Sequence, residues 1–96
     1  MQELIKNVEL IFNVDLNRKD KCRDIAEARH ALSYLLRKYT NLSYRKIGEI
    51  IKPKNYGYSR HCSAIYSERK CRQLMEIDRN YEIKIKMIEE NYEKTL

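Results

Sequence analysis

Residues 43–64 read SYRKIGEIIKPKNYGYSRHCSA, and this stretch decides the fold. Ser43 is a good helix N-cap, because its hydroxyl can accept from a free first-turn amide. Leu42 before it and Ile47 after it sit at the positions of a hydrophobic staple. The spacing predicts a short helix over Tyr44–Ile51, with Ile47, Ile50 and Ile51 turned inward. Pro53 stops it. Lys52–Tyr58 contains Pro53, Asn55 and Gly57 and reads as a turn or short loop. Ser59 then caps a second helix that opens Arg60-His61-Cys62-Ser63. Two short helices joined this tightly, the second opening with small polar and basic residues, form a helix-turn-helix. In that motif the first helix props the second against the major groove. The opening residues of the second can then reach base edges. Arg can pair bidentately with guanine, and Ser can donate or accept. A helix N-terminus also favours a phosphate. Seen alone, His61 reads more readily as an exposed or core-edge histidine than as a base reader.

Outward from the motif the chain is helical. Leu4, Val8, Ile11 and Phe12 fall on one face of a helix over about residues 2–12. Asn13–Lys21 reads as a polar connection that buries Val14 and Leu16. A helix from about Asp24 to Tyr39 follows, with Ile25, Leu32, Leu35, Leu36 and Tyr39 as its stripe. Asn41 suits its C-terminal cap, since Asn tolerates the left-handed conformation. Beyond the motif, Leu74, Ile77, Tyr81, Ile85, Ile88 and Tyr92 recur at three- or four-residue steps. One unbroken helix from Arg60 to Thr95 would span about 54 Å, long for a small domain. A break near Asp78–Asn80 is expected, with a last helix over about residues 80–95. The expectation is one all-α domain of about five helices, spanning residues 1–96, with the helix-turn-helix at 43–72.

Composition agrees. Two Gly and one Pro in 96 residues leave little material for the tight turns of a strand-rich fold. Formal net charge is +6, but its placement matters more. Residues 18–72 carry fifteen Lys/Arg against five Asp/Glu, while each flanking segment is net −2. A polyanion partner is the simplest reason for such focusing, and a solvated basic face is the bland alternative. Three cysteines, Cys22, Cys62 and Cys71, make an odd count without close pairing. That points to a reducing compartment, the cytoplasm. No apolar run is long enough for a signal peptide or a membrane span. His61, Cys62, Cys71 and His30 lack metal-ligand spacing, and neighbours such as His61 and Cys62 diverge on a helix. Neither metal, cofactor nor catalysis is expected.

Val8–Lys70 resembles the C-terminal DNA-binding domain of the bacterial replication initiator DnaA, a Trp repressor-like helical fold. The resemblance is carried by Lys21-Cys22-Arg23-Asp24-Ile25-Ala26-Glu27-Ala28-Arg29, by Tyr39-Thr40-Asn41-Leu42-Ser43-Tyr44-Arg45-Lys46-Ile47-Gly48, and by Ser59-Arg60-His61-Cys62-Ser63-Ala64-Ile65 with Arg69-Lys70 closing that helix. It implies that Lys21 reaches a minor groove. It implies that Arg23 and Arg29 in the basic lead-in, with His30 and Arg37 on the same helix, touch phosphates. Tyr44, Arg45 and Lys46 begin the first motif helix at its phosphate-facing end, and Ser59 caps the second. His61 and Ser63 match the His and Thr that contact bases, and Arg60 joins them. Arg60 stands where the family has Asp, Ser59 where it has Arg, and Cys62 where it has Thr. The loop is about five residues longer. These departures alter the reading surface, so the initiator's own target is not expected. These residues hold no Gly-rich phosphate loop, so no nucleotide-driven step is expected of them.

The expected partner is therefore double-stranded DNA, bound with some sequence preference in replication or transcription control. The reading from another class is a protein-interaction or structural module reusing the scaffold, or a regulator carried by a phage or plasmid. The last helix is a candidate seam for a homodimer, although Tyr81, Ile85, Ile88 and Tyr92 drift from strict heptad spacing.

Overall fold

The computed structural model describes residues 2–16, 23–51 and 60–94, and for Arg60 and His61 the backbone alone. Five α-helices follow one another: α1 (Gln2–Phe12), α2 (Arg23–Tyr39), α3 (Tyr44–Ile51), α4 (Arg60–Ile77) and α5 (Arg79–Lys94). No residue is in a strand among those described. One core draws on all five helices. Leu4 and Val8 enter from α1, Leu32, Leu35 and Leu36 from α2, and Ile47 and Ile51 from α3. Ala64 and Cys71 come from α4, and Tyr81, Ile85 and Ile88 from α5.

The helix ends that lie within the described residues have local causes. α1 stops because Asn13 turns left-handed, with φ 55°, and the Val14 amide donates back to the Glu9 carbonyl at 3.1 Å. That six-to-one bond is the Schellman arrangement, and Asn accepts the conformation at low cost. Asn41, expected in that role at the end of α2, does not take it; Asn13 is the only non-glycine with positive φ among the described residues. Thr40 closes α2 instead. Its amide donates to the Leu36 carbonyl at 3.0 Å, its hydroxyl bonds the same carbonyl, and its Oγ1 accepts from the Leu42 amide at 3.3 Å. Val14 and Leu16 are half-buried against the core. The Leu16 amide donates to Glu9 Oε2 at 3.0 Å, and Arg29 donates to the Leu16 carbonyl at 3.3 Å.

Ser43 caps α3: its Oγ accepts from the Lys46 amide at 3.3 Å. Leu42 packs on the core that holds Ile47, as a staple requires. Ser43→Ala is expected to lower stability by about 1 kcal/mol, read as a fall in urea midpoint at constant slope. No change in midpoint would mean that the cap is replaced by water.

The break after Ile77 is built by Asp78. Its Oδ1 accepts from the amides of Asn80 at 3.0 Å and Tyr81 at 3.2 Å, the N-cap pattern for α5. α5 folds back on α1 and α4, and the longest dimension is 36 Å. Ile77, expected on the apolar stripe, sits at the corner and is 81% exposed. The rest of the stripe goes inward. Tyr81 is buried, donates its hydroxyl to the Glu27 carbonyl at 2.8 Å and meets Phe12 edge-on at 5.6 Å. At the other end Tyr39 donates to Glu93 at 2.7 Å and packs its ring, tilted, against Tyr92 at 4.9 Å, while Lys38 pairs with Glu89. The face read as a homodimer seam is thus largely used in the chain's own core.

These contacts set an alkaline limit. Burial pushes the Tyr39 and Tyr81 phenols well above their ordinary 10.0, and pushes the Cys71 thiol from 9.0 up to about 12. The bond to Glu89 raises Lys38 above 10.5. All four groups hold their proton more tightly when folded. Their stabilisation is complete below the unfolded values and is lost as pH rises through the folded ones. Stability is therefore expected to hold from neutrality to about pH 9 and to fall steadily above it. Urea melts across that range check this; a curve still flat at pH 11 would contradict it.

Candidate nucleic-acid interface

The presentation of α4 follows from its small residues. Ser63, Ala64, Ser67 and Cys71 are all buried. On α2, Ala28, Ala31 and Ser33 are buried too, and Ser33 Oγ donates to the Ala64 carbonyl at 2.9 Å. Small side chains let the two backbones approach, and the hydroxyl satisfies a buried partner at the crossing. α3 packs on α4 as well, so α4 is supported by two helices. Its outward positions are then Cys62, Tyr66, Arg69, Arg72, Gln73, Glu76 and Ile77, all exposed.

The residues predicted to meet DNA fall into distinct groups. Arg60 and His61 form the opening of α4. Ser63, predicted beside them as a base reader, is 8% exposed and faces inward; packing withholds it. Arg45 and Lys46 are exposed in the first turn of α3, Lys46 within 3.7 Å of Glu49. Arg37 is exposed, donates to the Leu42 carbonyl at 3.0 Å and lies over the Tyr44 ring at 4.3 Å. These contacts join the end of α2 to the start of α3. His30 on α2 meets Tyr66 of α4 edge-on at 6.1 Å. Arg23 is largely exposed beside Glu27, whereas Arg29 is half-buried and is used in part on Leu16. Lys21 and Ser59 lie outside the described residues.

One connection was missed by the sequence reading. The Tyr44 hydroxyl donates to Glu68 Oε2 at 2.7 Å, and Arg72 donates to Glu68 Oε1 at 2.9 Å. Glu68 is 8% exposed, a depth at which an unpaired carboxylate would be costly. The bond to Glu68, and burial after it, raise the Tyr44 phenol above its ordinary value; Arg37 opposes them. The Glu68–Arg72 half was legible as an i,i+4 pair. The Tyr44 half is a contact across 24 residues and has no local signal.

A short helix stapled at Ser43, a second helix held across it, and cations along their exposed edges define a helix-turn-helix domain of DNA-binding type. Residues 1–70 match the family described as the bacterial dnaA protein helix-turn-helix, and the chain belongs to that family. It is similar to proteins named chromosomal replication initiator protein DnaA. One, from Corynebacterium aurimucosum, is 39% identical over 72 residues, which is 72% of this chain and 12% of the relative. Those from Nostoc sp. and Borrelia duttonii are 38% and 37% identical, over 68% and 86% of this chain. The chain spans between 12% and 16% of the length of these relatives. No helix among the described residues is long and apolar enough to cross a membrane.

Proposed function

We propose that this chain binds double-stranded DNA with sequence preference, laying the opening of α4 in the major groove. The observation that carries the reading is the coincidence of two features. The helix buttressed by α2 and α3 opens inside the one segment that holds all the excess positive charge. Arg60 and His61 read base edges. Cys62 and Tyr66, exposed next on the same helix, border them and take the place that Ser63 leaves. Arg37, Arg45 and Lys46 hold phosphates beside the start of α3, with Tyr44 supporting Arg37. Arg23, Arg29 and His30 extend that contact along α2, and Lys21 and Ser59 add further contacts to the DNA backbone and minor groove. Kinship with replication initiators supports a role in replication control, and transcription control would use the same contacts. The chain supplies binding and no catalysis of its own. A second copy recruited by α5 would meet Ile83 and Met87, 47% and 45% exposed.

Selection of bound sites from a random duplex library tests the reading. Enrichment of a common site is expected, with affinity falling steeply as salt rises. Retention of no duplex at moderate salt, alongside a clean oligomer on sizing, would favour a protein-interaction or structural module instead.

A further inference from the structure

We infer that Arg72 is a further phosphate-holding residue, paired with Arg37 across the Tyr44–Glu68 hydrogen bond; this rests on the DNA-binding reading above. The two guanidinium groups stand at the ends of one connected chain. Arg37 lies over the Tyr44 ring, Tyr44 donates to one oxygen of Glu68, and Arg72 donates to the other. Both arginines stay at the surface, the Arg72 side chain 65% exposed. Glu68, between them, is buried and shielded from an approaching anion by the groups bonded to it. One Nη of Arg72 faces Glu68, and the guanidinium has further N–H donors for a second acceptor. The tether also fixes a long side chain before it binds, which reduces the ordering cost of a phosphate contact.

The position fits that acceptor. Tyr44 is the first residue of α3, whose opening turn also carries exposed Arg45 and Lys46. Arg72 is brought beside that turn from three helical turns into α4, so it reaches backbone and not the bases before Arg60. A surface ion pair made only for stability would contribute little, and it would leave DNA affinity and its salt dependence unmoved.

The test is fluorescence anisotropy of the full chain on a labelled random-sequence duplex across a salt series. Arg72→Ala is expected to make the slope of log affinity against log salt shallower by about 0.9, the release expected for one phosphate. Between 50 and 200 mM salt the variant's deficit then shrinks about threefold. Arg72→Lys should restore most of the slope, because the charge remains. The Arg72→Ala change could unsettle the fold by leaving Glu68 short of a partner. The double variant Glu68→Gln, Arg72→Ala removes that charge and should show the same shallower slope. Arg79→Ala, at the start of α5, removes an equal charge elsewhere and should keep the wild-type slope. An unchanged slope in both Arg72→Ala variants would overturn the assignment alone, as would an equal change in Arg79→Ala. A wild-type chain that binds no duplex would overturn the DNA-binding reading, and the assignment with it.

Discussion

Replacing Arg60 and His61 together with Ala is expected to reduce preference for the selected site over random duplex by about 30-fold or more. The figure takes about 1 kcal/mol from the low end of the range for each lost base contact. Affinity for random duplex should fall only a few-fold, since one cation is removed and phosphates are read without regard to sequence. The asymmetry follows from the architecture. Arg37, Arg45 and Lys46 are anchored on α2 and α3 and are untouched by changes at the start of α4. Competition between the selected site and random duplex at fixed salt measures the ratio directly. Equal losses on both would place Arg60 and His61 on the backbone and sink the base-reading assignment. A loss confined to His61→Ala would narrow the reading to one residue.

The sequence was most legible where chemistry is local. The limits of α3 follow from Ser43, the isoleucines and the Pro53 stop, and the structure has Tyr44–Ile51 as read. The break near Asp78–Asn80 was readable from length alone, since one unbroken helix would be too long for the domain; that Asp78 builds it by taking the amides of the next helix is visible only in the structure. Asn41 misled because two Asn residues suit left-handed caps, and tertiary contacts choose between them. At the end of α2, Thr40 and Arg37 already satisfy the turn. α4 was the hardest helix to orient. Its buried face is Ser63, Ala64, Ser67, Glu68 and Cys71, so hydrophobic periodicity barely marks it. A small polar residue looks the same whether it meets a base or lets two backbones close up. Ser63 was therefore assigned to the groove, and its burial in the fold turns it away. The Tyr44–Glu68–Arg72 connection depends on how α3 crosses α4, a tertiary angle that no spacing within either helix encodes.

The largest expected loss of stability comes from α2, which packs on α1, α3 and α4 and so sits at the centre of the core. Leu36 is fully buried there. Leu36→Ala should cost about 2–5 kcal/mol, the transfer of the lost methyls plus the cavity they leave. Domains of this size have total stabilities at the low end of roughly 5–15 kcal/mol. The variant should therefore melt on the order of 10 °C or more below the parent and begin to unfold near physiological temperature. Leu10, 74% exposed on α1, provides the contrast: Leu10→Ala should stay within about 0.5 kcal/mol. A Leu36→Ala cost below about 1 kcal/mol would mean that the core closes over the gap, against its close packing. Binding links this result to function. A duplex that binds only the folded chain raises the melting point of both proteins by mass action. At saturating selected site, Leu36→Ala should regain thermal stability by the same free energy as the parent, because no DNA-facing group has changed. Its preference for that site, measured in the cold where it is folded, should then equal the parent's. A changed preference would mean that Leu36 sets the angle of α3 against α4, and with it the placement of Arg60 and His61.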